Sequence, residues 1–144
     1  MIALDTNILV HAHRGESPWH EVAAAAVKSL AEGREAWALP APCLHEFLAV
    51  VTHPRIWRPS TPLRQAIAQV EAWLGSPRVV VLSHGDGYWA TLASMLLAGK
   101  SAGPVVHDAH VAALCMYHRV SELWTADRDF SRFPGITTKN PLVG

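Results

Sequence analysis

Residues 1–10 read MIALDTNILV, in which two apolar runs flank the polar triplet Asp5-Thr6-Asn7. The first run, Ile2 to Leu4, has no polar alternation, which is typical of a strand buried on both faces of a parallel sheet. We expect Asp5 to lie where this strand ends and Thr6 and Asn7 to cap the helix that follows. Functional sites of open α/β sheets lie outside the carboxyl ends of the strands, so the position predicts a site at Asp5. For an isolated Asp after a strand, the alternative role is a helix cap.

The composition is typical of a single folded domain. The chain has 144 residues, of which 50% are hydrophobic and 17% are charged. This length supports one core, and the chain is too apolar to be disordered, so we expect one domain over residues 1–144. The 12 basic and 12 acidic residues give a net charge of zero. A nucleic-acid partner is therefore not indicated by overall charge, although acids confined to one metal site would leave a mildly basic remainder.

The sequence predicts a cytoplasmic protein without a membrane segment. No apolar run reaches the roughly 18 residues of a membrane helix, and no basic residue precedes Arg14 as in the first part of a signal peptide. Cys43 and Cys115 lie in apolar segments and lack the spacing of metal ligands. We expect both to be buried free thiols in a reducing compartment.

Apolar periodicity and turn residues predict alternating strands and helices. Ser17-Pro18 and Thr61-Pro62 each resemble a cap followed by proline at the first helical position. Strands alternating with helices indicate an α/β fold with a parallel sheet covered on both faces. The predicted strands are 2–4, 36–39, 78–82, 122–124 and 136–138, and the predicted helices are 8–13, 17–30, 41–53, 61–74, 87–98 and 105–118.

Four carboxylates stand among apolar residues. Asp5 and Asp127 each follow a predicted strand, Glu46 lies in the helix PAPCLHEFLAVV, and Asp108 lies near the start of the last long helix. Acids are seldom buried alone, and two carboxylates about 4 Å apart repel by about 4 kcal/mol at an effective dielectric constant of 20. Only Asp127 has a basic neighbour, Arg128. A hard divalent cation, Mg²⁺ or Mn²⁺, is the expected compensation.

The nine histidines do not predict a zinc site. His11 and His13 are two residues apart and His107 and His110 are three apart, whereas zinc-binding helices carry two histidines four apart with an intervening Glu. His107 and His110 flank Asp108, and His45 adjoins Glu46. A proton-shuttle or substrate-contact role therefore stands beside the commoner one of a hydrogen-bonded histidine at the rim.

These motifs together resemble those of the PIN-domain ribonucleases, in particular the VapC toxins of bacterial toxin–antitoxin pairs. The resemblance covers essentially the whole chain and rests on four segments in order: the apolar run with DTN at Asp5, HEFL at Glu46, DAHVAAL at Asp108 and TADRDF at Asp127. It implies a three-layer sandwich whose five-stranded parallel sheet has the order 3-2-1-4-5. It also implies RNA cleavage dependent on Mg²⁺ or Mn²⁺, with these four acids as catalytic metal ligands.

The resemblance extends to polar residues around the acids. It implies that Thr6, Asn7 and Thr125 orient ligands or waters. Asp129 either supports the metal site or caps the turn that follows. Water activated at the metal would attack the phosphodiester in line and leave 5′-phosphate and 3′-hydroxyl ends.

Other residues predict partner contacts. Trp57 lies between Arg55 and Arg58 in a turn-rich segment, a pattern that suits stacking on single-stranded RNA but also internal packing or a protein contact. Arg128 is a further candidate for RNA contact. The resemblance also implies a VapB-type antitoxin and a homodimer, for which the apolar helices 18–30 and 62–74 offer faces, although these helices would equally suit core packing.

Two other functions remain open at this point. One is a binding module for RNA or protein without turnover, which the presence of all four acids disfavours. The other is a phosphatase of the haloacid dehalogenase type with Asp5 as nucleophile. That family has a second Asp two residues later, where this chain has Asn7.

Overall fold

A computed structural model of the chain describes residues 1–143. Strands and helices alternate through most of this length. The strands are β1 (Ile2–Leu4), β2 (Trp37–Pro40), β3 (Val79–Leu82), β4 (Glu122–Trp124) and β5 (Thr138–Lys139). The α-helices are α1 (Thr6–His13), α2 (His20–Ala31), α3 (Ala41–Val51), α4 (Leu63–Leu74), α5 (Tyr88–Ala98) and α6 (Val105–Tyr117), and a 3₁₀ helix spans Arg128–Arg132.

The five strands form one parallel sheet in the order β3-β2-β1-β4-β5, which confirms the predicted fold. β1 lies in the centre, with Leu4 paired to Trp124 of β4. The backbone N–H of Asp5 donates to the carbonyl of Trp124 at 3.0 Å. The carboxyl ends of β1 and β4 therefore lie side by side, and the residues that follow them meet at one edge.

Crossover handedness places helices on both faces of the sheet. From β1 to β3 the chain moves across the sheet in one direction, and it then returns past β1 to reach β4. Because parallel crossovers are right-handed, α1–α4 cover one face and α5 and α6 cover the other. The packing agrees, since α1 contacts α2 and α3, α3 contacts α4, and α5 contacts α6.

The central strands of the sheet are covered on both faces. Ala3, Leu4, Ala38, Leu39 and Leu123 are fully buried, as expected of apolar runs without alternation. β3 is different, since Val80 and Val81 are both exposed although all four residues of β3 are apolar. β3 lies at the edge of the sheet and has only β2 as a neighbour.

Several predicted boundaries were wrong by a few residues. α1 begins at Thr6 and Asp5 is its N-cap, so Thr6 and Asn7 are helical residues and not caps. α2 begins at His20, because the Ser17 hydroxyl accepts the N–H of Trp19 and stabilises a turn before the helix. Among the other differences, α4 begins at Leu63, with Pro62 as an N-cap that makes no side-chain capping bond, α3 ends at Val51 and not at 53, and β5 lies at 138–139 and not at 136–138.

The two cysteines lie where their apolar surroundings predict. Cys43 and Cys115 are buried free thiols, as expected. Within residues 1–143, the helices are all too short or too polar to cross a membrane.

Candidate active site

Asp5 is both a helix cap and the centre of a polar network. The residue is only 8% exposed. Its Oδ1 accepts the backbone N–H of Thr6 at 2.8 Å, which caps α1, and a longer contact of 3.6 Å from the Cys43 thiol. Its Oδ2 accepts Asn7 Nδ2 at 3.2 Å and Thr125 Oγ1 at 2.7 Å. Burial raises the pKa of Asp5, and these hydrogen bonds oppose the rise.

Thr125 and Asn7 join the ends of β1 and β4. The Thr125 hydroxyl donates to Asp5 and accepts Asn7 Nδ2 at 3.2 Å and the N–H of Asp127 at 3.0 Å. Asn7 Oδ1 accepts the N–H of Ala126 at 3.0 Å. These bonds set the position of the loop that carries Asp127 relative to Asp5. Thr125, which follows β4, therefore orients Asp5 at the end of β1. Asn7, which follows β1, holds the backbone next to Asp127 at the end of β4.

Asp108, Asp127 and Asp129 form a compact group of carboxylates. One oxygen from each lies within 4.8 Å of the others. Asp127 Oδ1 also accepts the N–H of Asp129 at 2.8 Å and so caps the 3₁₀ helix. Two roles were considered for Asp129, a cap for this turn and a support for the metal site. Asp127 supplies the cap, and the Asp129 carboxylate lies beside those of Asp108 and Asp127.

The fold explains why acids from distant segments converge. α3 begins directly after β2, and α6 runs back toward β4, so the first turns of both helices lie at the carboxyl edge of the sheet. Asp108 lies in the first turn of α6, and Glu46 lies in the second turn of α3. The acids Asp5 and Asp127 reach the same edge from β1 and β4.

The pKa values show that the carboxylates affect one another. Burial, followed by the negative charges of Asp127, Asp5, Asp129 and Glu46, raises the pKa of Asp108 to about 6. Partial burial of the Glu46 carboxyl and the nearby charge of Asp5 raise the pKa of Glu46, whereas His107 lowers it. Glu46 nevertheless lies on an exposed part of α3, not against a buried face as its apolar neighbours had suggested.

The predicted acids line one cavity. Asp5, Glu46, Asp108 and Asp127 surround about 230 Å³, together with Asn7, His11 and His107. In the described part of the chain the one salt bridge joins Arg14 to Glu16, so no basic side chain forms a salt bridge with these acids. The cavity thus combines oxygen donors and uncompensated negative charge, the combination that a hard cation satisfies.

Comparison with known proteins agrees with this geometry. The PIN domain family model matches residues 2–136. The chain belongs to the PIN-domain family. Curated relatives of this PIN domain include the ribonucleases VapC48 and VapC43 of Mycobacterium tuberculosis, both 31% identical to it. The first alignment covers 97% of each protein, and the second covers 100% of this chain and 97% of the relative.

Solved structures share the fold of this PIN domain. VapBC2 from Rickettsia felis, bound to a DNA fragment from its promoter, contains a chain with a TM-score of 0.71 and 19% identity, covering 97% of this chain and 98% of that one. FitAcB from Neisseria gonorrhoeae contains one with a TM-score of 0.69 and 21% identity over the full length of both. The chains in these two structures therefore share the overall fold of this PIN domain.

The residues predicted to contact RNA lie outside the lining of the acidic cavity. Trp57 is partly buried, packs against the core, and has the Arg14 guanidinium 4.8 Å from its ring centre. Arg14 also donates to Thr61 and to the carbonyl of Pro59, so it anchors this segment of the PIN domain. This arrangement favours the packing role for Trp57. Arg55, Arg58 and Arg128 are exposed.

Sequence reasoning missed two contributors to the site of this PIN domain. Cys43 lies under Asp5, and its apolar context had indicated only a core thiol. His11 lines the acidic cavity and had been considered only as a zinc ligand. A clue was available for His11, because it lies one helical turn after Asn7 and therefore on the same face of α1.

Proposed function

We propose that this PIN domain, a single domain over residues 1–144, is an endoribonuclease dependent on Mg²⁺ or Mn²⁺ and the toxin of a VapBC-type pair. The observation that carries the proposal is the convergence of four acids on one cavity, where their mutual charges and burial raise the pKa of Asp108 to about 6. The chain is 31% identical along its length to proteins named VapC ribonucleases.

The donor set fits a divalent cation. The carboxylates of Asp108, Asp127 and Asp129 approach one another closely enough to share an ion, and Asp5 and Glu46 line the adjoining cavity. Mg²⁺ and Mn²⁺ prefer carboxylate oxygens and retain bound waters. We propose Asp5, Glu46, Asp108 and Asp127 as catalytic ligands and Asp129 as an adjacent supporting acid.

The chain's own residues would orient the proposed metal ligands. Thr125 and Asn7 hold the Asp5 carboxylate by two hydrogen bonds to one oxygen, while Thr6 holds the other through its backbone N–H. A bound cation activates water and stabilises negative charge on a phosphate. Attack of water on phosphorus with the 3′ oxygen as leaving group would leave 5′-phosphate and 3′-hydroxyl ends, and a 2′,3′-cyclic phosphate product would contradict this mechanism.

Partner binding follows from the same family relationship. Two solved structures with this fold are described as VapBC complexes. The outer helices α2 and α4 expose the apolar side chains of Val22, Leu63 and Ile67. We propose that a VapB-type antitoxin covers part of this surface, that the protein forms a homodimer, and that both act in the cytoplasm, where the free thiols stay reduced.

The test is RNA cleavage by matched variants. Asp5→Asn is an imperfect choice, because an Asn amide nitrogen in place of Oδ2 would face Asn7 Nδ2. Glu46→Gln and Asp108→Asn are better, with Glu35→Gln, an exposed acid outside the cavity lining, as the control. A panel of structured RNAs is incubated with Mg²⁺ or Mn²⁺, with and without EDTA.

We expect site-selective cleavage by the wild type and by Glu35→Gln. Cleavage should fall at least about 100-fold in the two site variants and disappear with EDTA, the magnitude seen when a group that stabilises transition-state charge is removed. Cleavage that survives EDTA and both variants would overturn the proposal. RNA binding without cleavage would instead favour a binding module, and hydrolysis of a phosphomonoester alone would favour a phosphatase.

A further inference from the structure

A second cavity, of about 670 Å³, opens beside the acidic one. It lies between the start of α5 and the first turns of α6, and we refer to it as the aromatic cavity. Its lining includes the rings of His84, Tyr88, Trp89, His107 and His110. Its size is that of an ordinary ligand pocket. The proposed cleavage chemistry does not use it.

One wall of the aromatic cavity is preorganised. The His84 ring stacks on the Tyr88 ring, with centres 5.3 Å apart and planes at 25°. The Tyr88 hydroxyl is hydrogen-bonded to Nδ1 of His110, and burial raises the pKa of Tyr88 to about 12. Tyr117 also meets the Tyr88 ring edge-on, with centres 5.7 Å apart. This wall is therefore held in place without a ligand.

Trp89 provides a free aromatic surface at the mouth. Its side chain is 71% exposed, although it adjoins the buried Tyr88 on the same helix. Covering a large aromatic side chain lowers the free energy of the complex. Stacking of bases on aromatic side chains is the usual way in which proteins hold unpaired bases. An indole beside two exposed imidazoles, those of His84 and His107, offers both a stacking face and hydrogen-bonding groups.

The aromatic cavity adjoins the acidic one. His107 lines both of them, and it directly precedes Asp108 in α6. Its charge also lowers the pKa of Glu46, so it lies near that carboxylate. The two cavities differ in charge, because among residues 1–143 Asp86 is the only carboxylate that lines the aromatic one. An uncharged nucleobase ring suits the aromatic cavity, whereas a phosphate needs the cation proposed for the acidic cavity.

From this arrangement we propose that the aromatic cavity is a nucleobase subsite. It would take one unpaired base of single-stranded or looped RNA next to the cleaved phosphodiester, with the base stacked on Trp89. The inference rests on the proposed function, since it assumes that RNA occupies the acidic site. It adds a requirement that the acids alone do not impose, namely that the nucleotide beside the cut is unstacked from its neighbours.

The test compares binding of fluorescein-labelled single-stranded RNA hexanucleotides with Mg²⁺ present. Proteins carry Glu46→Gln to prevent cutting, and fluorescence anisotropy gives the Kd. The variants are Trp89→Ala and Trp89→Phe, with Leu97→Ala as the control, since Leu97 is 80% exposed on the same helix and lies outside the aromatic cavity. Hexanucleotides with a single abasic ribose at each position in turn are the matched ligands.

We expect Trp89→Ala to weaken binding about tenfold, the effect of losing one base–aromatic stack. Trp89→Phe should restore most of it, and Leu97→Ala should bind like the parent. An abasic ribose at one position should weaken binding to the parent but not to Trp89→Ala. Because Trp89 is exposed, these variants are expected to fold, which circular dichroism checks.

The outcomes separate this inference from the proposed function. Wild-type protein that cuts structured RNA, together with a Trp89→Ala variant that binds and cuts like it, overturns the subsite alone. Binding through Trp89 by a protein that never cuts RNA supports the subsite and overturns the nuclease. Absence of hexanucleotide binding overturns the subsite. A change in oligomeric mass in Trp89→Ala, with RNA affinity unchanged, would show instead that this surface contacts protein.

Discussion

Asp108 shows how neighbouring side chains change the chemistry of a single carboxyl group. It is partly buried, and four other carboxylates add to the effect of burial, so its pKa rises to about 6. Its charge is therefore unfavourable in the folded protein at neutral pH unless a cation is bound. The charged form of Asp108 therefore destabilises the folded protein, as is common for acids at functional sites.

The pH dependence of stability should reveal this cost. A raised pKa in the folded state means that the Asp108 contribution to stability is fully present below pH 3.8, the ordinary value, and is lost as the pH rises through about 6. In EDTA at pH 8, Asp108→Asn should therefore be more stable than the wild type by about 1 kcal/mol, after allowance for solvent screening. Near pH 4 the difference should shrink.

Urea unfolding at intervals from pH 4 to pH 8 measures the free energy of unfolding of the wild type and of Asp108→Asn. Glu35→Gln, at an exposed position outside the cavity lining, should follow the wild-type curve. An Asp108→Asn protein that is less stable than the wild type at pH 8 without metal would contradict the role assigned to repulsion.

At the scale of elements, the turn after β4 has both a structural and a chemical task. The Asp127 carboxylate caps the 3₁₀ helix through the N–H of Asp129, while its charge contributes to the raised pKa of Asp108. The Thr125 hydroxyl accepts the N–H of Asp127 and anchors this turn to β1 through Asp5. The capping bond and the acidic group therefore depend on the same side chain.

Two substitutions at Asp127 separate these tasks. Both Asp127→Asn and Asp127→Ala remove the charge, but Asn retains an oxygen that caps a helix well. We expect Asp127→Ala to be less stable than Asp127→Asn by about 1 kcal/mol. RNA cleavage should be lost in both. Chemical denaturation in EDTA gives the difference in the free energy of unfolding, and equal stabilities would show that the cap contributes nothing.

At the scale of the whole molecule, the acidic cavity joins four elements that are distant in sequence. Asp5 follows β1, Glu46 lies on α3, Asp108 lies on α6 and Asp127 follows β4. A cation held by these acids would crosslink the carboxyl edge of the sheet only in the folded state. Binding to the folded state alone stabilises a protein by mass action.

Thermal unfolding should therefore respond to metal. At a Mg²⁺ or Mn²⁺ concentration 100 times its Kd, the stabilisation is about 2.7 kcal/mol, which corresponds to an increase in Tm of about 5–10 °C for a chain of this size. EDTA should reverse the increase, and Asp108→Asn should abolish most of it. An equal increase in the wild type and in Asp108→Asn would place the ion elsewhere.

Local patterns in the sequence account for the element order, the parallel sheet and the residues that end each strand. Short apolar runs such as Ile2 to Leu4 are strong signals, because a strand covered on both faces needs no polar position. Acids surrounded by apolar residues pointed to the candidate site for a similar reason, since burial of a lone charge is unfavourable. Helix starts were predicted less well, because turns such as the one at Ser17 use the same residue types as caps.

Contacts between distant segments could not be read from those patterns. The approach of Asp129 to Asp108, the Arg14 guanidinium on Trp57, and the pairing of Tyr88 with His110 all depend on how helices and loops pack. Side-chain direction at such positions follows from tertiary packing, to which the period of a helix or strand is insensitive. The sequence therefore specifies the sheet and its acidic edge, whereas the packing of α5 and α6 beside that edge creates the aromatic cavity.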